Sequence, residues 1–293
     1  MEQIEIIPLA AESLGARSMA TFVQTRSGGI LIDPGVSLCP NRFGLPPHPI
    51  EENRRRELWL RIREKLAAAV TVVVTHYHFD HFEPEETQVY KGKTLYVKHP
   101  SLKINRSQHG RANEFLRKMR DLAVEVRYAD RLSVDLGSVE MVFSNPVYHG
   151  LDAARGFVIQ VCVRDDERFV YTSDVQGPAL KEQVEFVLQE RPDTLYVDGQ
   201  VTYMLPEAYS EKYVETTCSN LAEVIQRTGV KKVILDHHLT RDLHYRDRLA
   251  PVYRAAEEAG VSAQSAAEFL GLTPDLLEAR RRELYKGDKQ NGK

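Results

Sequence analysis

The chain has 293 residues, enough for one large domain or two ordinary ones, with 42% hydrophobic residues, 28% charged residues and a formal net charge of −3. That composition is globular, and the mixed charge excludes a global basic field that would recruit nucleic acid. Cys39, Cys162 and Cys218 are too scattered for a disulfide framework or a CxxC zinc knuckle, no signal peptide opens the sequence, and no window reaches the roughly 18 apolar residues of a membrane span, so a cytoplasmic, membrane-free protein is expected.

In chain order, IEIIPLA (4–10) and SMATFVQT (18–25) read as short strands, and GGILIDPGVSL (28–38) as a glycine turn, a strand and a Pro-Gly turn. A proline-rich loop leads into a helix with Leu58, Trp59, Leu60, Ile62 and Leu66 on its apolar face and Arg54, Arg55 and Arg56 as solvated charges. VTVVVTH (70–76) is a β-branched run of the kind buried on both faces of a sheet. KTLYVKHP is a further strand, 103–120 a loop and basic helix, and 125–150 two or three strands around Gly137. The stretch 156–178 reads as a hairpin tipped by Asp165 and Asp166; PDTLYVDGQ and VKKVILDHH are strands, with a helix between them ended by Gly229. The tail from Leu243 is expected to be helical, including a helix capped by Thr273 with Pro274 in its first position, and the polar end 286–293 is expected to fray. Strand runs with helices outside them imply two sheets packed face to face and covered on both sides, with no clear internal boundary.

The chemistry concentrates where one strand ends. His76, His78, Asp80 and His81 form H-x-H-x-D-H in a chain with only ten histidines. On a strand, 76, 78 and 80 share a face and 81 points away; on a helix, 76, 80 and 81 cluster and 78 does not. A tight turn leaving the strand can gather all four. Packing them in a core would leave several polar atoms unpaired, whereas metal coordination accounts for them together, since imidazole and carboxylate are both ligands for divalent ions.

These four residues match the first metal motif of the metallo-β-lactamase-fold hydrolase superfamily, and LIDPG (31–35) is similar to the strand-turn before it. His149, Asp174 and His237, each just after a strand, stand in the order the superfamily requires. More narrowly, ESLGARSMATFV, DPGVSL, RFGLPPHP, THYHFDHF and SDVQGP resemble a mainly archaeal, functionally uncharacterised family of that superfamily. The resemblance implies an α/β (α+β) chain folded as a four-layer αββα sandwich, two mixed sheets with helices on the outer faces. It spans a domain at 1–250, with 251–293 as a helical extension packed on it.

The resemblance also implies two divalent metal ions, Zn²⁺ first and Mn²⁺ or Fe²⁺ as alternatives. His76, His78 and His149 would hold one, Asp80, His81 and His237 the other, and Asp174 would bridge. His238 competes with His237 for the last place and otherwise supports a ligand from behind or faces substrate. The implied activity is hydrolysis by a metal-activated hydroxide that Asp80 orients. His238, His244, Lys98, His99 and His109 are candidates to serve the leaving group. A phosphoester is favoured because 103–120 is basic: Arg106, Ser107, His109 and Arg111 would meet an anion, Arg241 would clamp a phosphate, and Tyr203 would face the pocket. The plain alternative is a solvated basic helix. Competing functions are a hydrolase of a carboxylic ester, lactone or thioester and a non-catalytic, metal-containing nucleic-acid-binding module. The expected partner is a small-molecule or phosphoester substrate, with nucleic acid only as substrate; a homo-oligomer stays open.

Overall fold

A computed structural model describes residues 4–207 and 209–291. Its first sheet holds β1 (Glu5–Pro8), β2 (Thr21–Thr25), β3 (Gly28–Ile32), β4 (Ala69–Val74), β5 (Thr94–Val97) and β6 (Glu125–Tyr128), side by side in that order. β1, β2 and β3 pair antiparallel; β3 to β6 run parallel. Parallel neighbours need a crossover. α1 (Pro49–Ala68) supplies it between β3 and β4, and α2 (Arg106–Met119) between β5 and β6. Between β4 and β5 runs the loop that carries the histidine motif.

α1 starts where the chemistry favours a start. Pro49 occupies the first turn, the His48 ring accepts from Ile50 N, and the Glu51 carboxylate accepts from His48 N at 2.9 Å. Leu58, Trp59, Ile62 and Leu66 are buried, as the helical period predicts, whereas Leu60 is 59% exposed and lies off that face. In β4, Thr71 to Val74 are buried, but Val70 is 54% exposed, so the double burial read from the valine run holds only from Thr71 onward.

The second sheet is built from β7 (Ser133–Asp135), β8 (Glu140–Phe143), β11 (Val161–Arg164), β12 (Arg168–Tyr171), β13 (Thr194–Asp198), β14 (Lys232–Asp236) and β15 (Ser262–Gln264), in the order β15-β14-β13-β12-β11-β8-β7. β9 (Val147–Tyr148) and β10 (Phe157–Val158) form a small separate pair. Two-residue alternation sorts the second sheet's side chains. Phe169 and Tyr171 turn inward to a core shared with Ile30, Val72 and Tyr96 of the first sheet. Val170, Leu195 and Leu235 turn outward, to be covered by Val184 and Val187 of α3 (Lys181–Glu190) and by Leu221 and Val224 of α4 (Glu211–Thr228). The result is an αββα sandwich with mixed sheets.

The C-terminal region departs from its expected all-helical form. After α5 (Tyr245–Arg248) and α6 (Ala250–Glu258), β15 adds a parallel edge strand to β14, and α7 (Ala266–Phe269) follows. The helix expected from Thr273 begins only with α8 (Arg281–Asn291). Before it, the Asp275 amide donates to the Ser13 carbonyl at 2.8 Å, Leu276 and Leu277 are buried, and Glu278 grips Arg17; a helix begun at Thr273 would break these contacts. Arg281 is fully buried and paired with Glu51 of α1 through two 2.8 Å bonds, which ties the region to the first sheet's helix layer. α8 stays helical into the polar end expected to fray, whose last two residues lie outside the described ones. No helix among the described residues is long and apolar enough to cross a membrane.

Candidate metal centre

β3, β4, β12, β13 and β14 all end at one edge of the sandwich, the usual place for ligand chemistry in sheets of parallel strands. Beyond their ends the backbone turns sharply: Asp33, Ser173 and His237 have φ of 50°, 59° and 63°. Non-glycine residues in the left-handed region cost free energy and gather at functional sites. The turn after β4 presents His76, His78, Asp80 and His81. His149 follows β9, Asp174 follows β12, and His237 follows β14 directly.

These seven side chains meet. The ligand-type atoms of His76, His78, His149 and Asp174 lie within 4.8 Å of one another, as do those of Asp80, His81 and His237. Asp174 stands between the two sets. Its Oδ2 is 3.2 Å from His149 Nε2 and 3.6 Å from His76 Nε2, while Oδ1 is 2.9 Å from His81 Nε2 and 3.1 Å from His237 Nε2. His76 Nε2 and His78 Nδ1 approach to 3.1 Å. Despite these approaches, buried His81 Nε2, both ring nitrogens of His149 and Asp174 Oδ1 have no partner in hydrogen-bond geometry among the described residues. Buried polar atoms normally have one; a nest of nitrogen lone pairs and carboxylate oxygens aimed at shared points is a donor set that fits divalent cations.

Carboxylates behind the rings set their orientation. Asp33 accepts from Thr75 N (2.7 Å), Thr75 Oγ1 (2.5 Å), Tyr171 Oη (2.9 Å) and His81 Nδ1 (2.8 Å). Glu12 takes His237 Nδ1 at 2.7 Å and Arg241 Nε at 2.6 Å. Asp198 takes His238 Nδ1 at 3.0 Å. Holding Nδ1–H leaves Nε2 free for a metal. Burial and the neighbouring His81 hold the His76 imidazole down at about 4, and burial with His76 and His149 pushes His78 down to about 2. Burial also disfavours a charged His81, but the Asp174 and Asp33 carboxylates outweigh it and lift the ring to about 10. Burial opposes ionisation of Asp174, yet His237, His81 and His76 keep its carboxyl well below the ordinary range.

Glu12, Asp33 and Gln108 were not among the sequence-predicted site residues. For Asp33 the signal existed, a carboxylate closing the apolar run GGILI. For Gln108 it lay in helical phase: Gln108, Ala112, Phe115 and Met119 form the buried face of α2. Glu12 had no local signal, because its partners are more than 200 residues away.

Gly35 of the LIDPG turn explains itself sterically. A Cβ there would lie 2.3 Å from Phe82 N and 2.6 Å from His81 N. Gly35→Ala is therefore expected to push back the backbone that carries His81. It should cost about 1–3 kcal/mol, as overpacking does, and lower metal content; urea denaturation and elemental analysis check both.

A cavity of about 550 Å³ opens over the cluster, lined among others by His78, Asp80, His149, Asp174 and His238. Of the expected substrate contacts, Arg111, Tyr203 and Arg241 line it. Arg106, Ser107 and His109 do not. Arg106 and Ser107 are exposed, and His109 Nδ1 is bonded to the Pro100 carbonyl at 2.7 Å. The 100° step of a helix turns Gln108 and Arg111 inward and these three away. Arg241 reaches the cavity with its guanidinium already on Glu12, so the free phosphate clamp expected of it is corrected to a buried ion pair. Lys98 is buried on Asp130 at 2.7 Å, and His244 is exposed on α5's approach, so neither serves the cavity. His238 turns Nε2 toward Gln176 Nε2 at 3.3 Å, beside the cluster.

Fold and cluster together define a protein of the metallo-β-lactamase fold. Residues 29–238 match the Beta-lactamase superfamily domain. The chain belongs to the UPF0282 family: it is 42% identical to the UPF0282 protein of Korarchaeum cryptofilum (strain OPF8) over 96% of this chain and 94% of that one. Among solved structures, the metallo-beta-lactamase fold protein YhfI from Bacillus subtilis superposes with a TM-score of 0.54 at 11% identity, over 90% of this chain and 96% of that one. A possible metal-dependent hydrolase from Veillonella parvula DSM 2008 gives 0.54 at 12% identity, over 89% and 95%. At such identities the likeness is one of fold.

Proposed function

We propose that the chain is a dinuclear metal-dependent hydrolase, with Zn²⁺ as the first choice of ion and a phosphoester as the favoured substrate. The observation that carries this reading is Asp174, whose two oxygens face two separate nitrogen sets. His76, His78 and His149 would hold one ion, and Asp80, His81 and His237 the other. When bound, such ions polarise a substrate oxygen and lower the pKa of water to about 7.

The chain's own groups do the rest. Asp33 and Glu12 fix the tautomers of His81 and His237. Asp80 lines the cavity, 3.9 Å from His237 Nε2, where its carboxylate can accept a hydrogen bond from the attacking water and aim it. His238 is held by Asp198 and faces the cavity through Nε2, in place to exchange a proton with the leaving group. Arginines on the cavity wall favour a phosphoester over a neutral ester or lactone, and open carboxylate ligands oppose a purely structural metal, which prefers a closed Cys/His set. Residues 1–250 would form the catalytic domain, with 251–293 completing its second sheet and bracing α1. Free Cys39, Cys162 and Cys218 agree with a reducing cytoplasm.

Metal analysis of the purified chain should find about two divalent ions per chain. With Zn²⁺, Mn²⁺ or Fe²⁺ added back, bis(4-nitrophenyl) phosphate should turn over faster than 4-nitrophenyl acetate or a lactone. Turnover of the acetate or lactone alone would end the phosphoester reading, and no bound metal after reconstitution would end the hydrolase. Asp80→Ala should lower kcat by roughly 10²-fold while the circular dichroism of the fold stays unchanged.

A further inference from the structure

Four arginines line the cavity over the cluster, and they are not equivalent. Arg17 donates to both oxygens of Glu278 at 2.6 and 2.7 Å. Arg241 is held by Glu12. In both, a buried carboxylate already answers the charge and occupies the fork. Arg111 and Arg155 face no carboxylate at ion-pair distance among the described residues. Among the described residues the only acids on the cavity wall, Asp80 and Asp174, belong to the metal cluster.

Arg111 is nonetheless held in place. Its guanidinium lies 4.3 Å over the ring of Phe79, inside the H-x-H-x-D-H turn, and one N–H donates to the Tyr77 carbonyl at 3.2 Å. That leaves most of its donors unbonded. Arg155 comes from the short turn after His149, and Gln108 fastens that turn to the metal loop. The Gln108 amide nitrogen donates to the Arg155 carbonyl at 2.9 Å, and its oxygen accepts from Tyr77 N at 3.1 Å. One buried glutamine thus sets the α2 arginine, the loop arginine and the histidine turn relative to each other.

We propose that Arg111 and Arg155 form an anion-binding subsite beside the metal cluster, one that takes a phosphate or carboxylate group of the substrate. The proposal rests on the hydrolase reading for the word substrate and, for the word anion, on two guanidinium groups that no carboxylate among the described residues pairs. Guanidinium forks bind such oxyanions through paired, charge-assisted hydrogen bonds. The subsite gives the enzyme selectivity for an anionic ester, and Arg17 and Arg241 serve the wall's architecture instead.

The test is calorimetric titration of the zinc-loaded protein with inorganic phosphate and, separately, with acetate. Arg111→Gln and Arg155→Gln should each weaken binding about tenfold. Arg106→Gln removes an equal charge from the same helix but outside the cavity, and should leave the affinity within about twofold. Arg155→Gln alters an exposed side chain, so the fold does not depend on it. An effect on phosphate alone assigns a phosphate group, and one on acetate alone a carboxylate. The proposal is overturned if both cavity variants bind as the wild type does, if Arg106→Gln weakens binding as much, or if the wild type binds neither anion. Ester turnover by the same preparations keeps the two readings apart. Arginine-dependent binding without any turnover leaves the subsite and removes the hydrolase, and turnover with arginine-independent binding does the reverse.

Discussion

Asp174→Ala should lower turnover by at least about 10³-fold, equivalent to about 4 kcal/mol of barrier, and should reduce the metal content of the purified chain below two per molecule. The expectation follows from how the carboxylate is shared. Oδ2 serves the side of His76 and His149, and Oδ1 the side of His81 and His237. Alanine leaves five imidazoles and a single carboxylate, that of Asp80, to balance two divalent charges. Asp80 cannot take over, because its Oδ2 is 3.9 Å from His237 Nε2 and belongs to one set only. Asp174→Asn separates charge from shape: it keeps one acceptor, so it should retain more metal than alanine while still losing most turnover. Elemental analysis and kcat on the same samples read both effects. Normal stoichiometry with normal turnover in Asp174→Ala would remove the bridging role and the dinuclear reading with it.

What could be read from the sequence was what is local in the chain. His76, His78, Asp80 and His81 lie in one turn, and His149, Asp174 and His237 each follow a recognisable strand in the order the superfamily resemblance implies, so the seven could be named before their meeting point was known. The layers followed from strand runs with helices outside them and from the superfamily resemblance; the structure adds the facing, with Phe169 and Tyr171 on one side of β12 and Val170 on the other. What escaped was long-range pairing. Arg241 looked free for phosphate because Glu12 is 229 residues away. β15 is three half-buried residues without apolar alternation, and only its parallel register with β14 makes it a strand. Helical phase was legible but unused: the apolar spacing of Ala112, Phe115 and Met119 already placed Gln108 inward and left Arg106, Ser107 and His109 outside.

Asp33→Ala should cost about 3–5 kcal/mol of stability, the range for stripping the partner from a buried charged network, although Asp33 is no ligand in the proposed site. Its carboxylate is fully buried and accepts four hydrogen bonds from three residues, Thr75 and His81 in the turn after β4 and Tyr171 of β12. Alanine strands those donors without water, each at about 1–3 kcal/mol before relaxation. It also frees the His81 ring, which should weaken metal binding about 10–100-fold. Asp33→Asn should be milder: an amide oxygen can stay at the Oδ2 position, where Thr75 Oγ1, His81 and Tyr171 all donate, and only the Thr75 amide then faces an N–H. Urea denaturation of metal-free protein isolates the network, and repeating it with zinc adds the share that acts through His81. A loss under about 1 kcal/mol in the metal-free alanine variant would mean that water or a shifted Tyr171 satisfies the donors. The LIDPG turn would then owe its role at the site to the close approach of Gly35 alone.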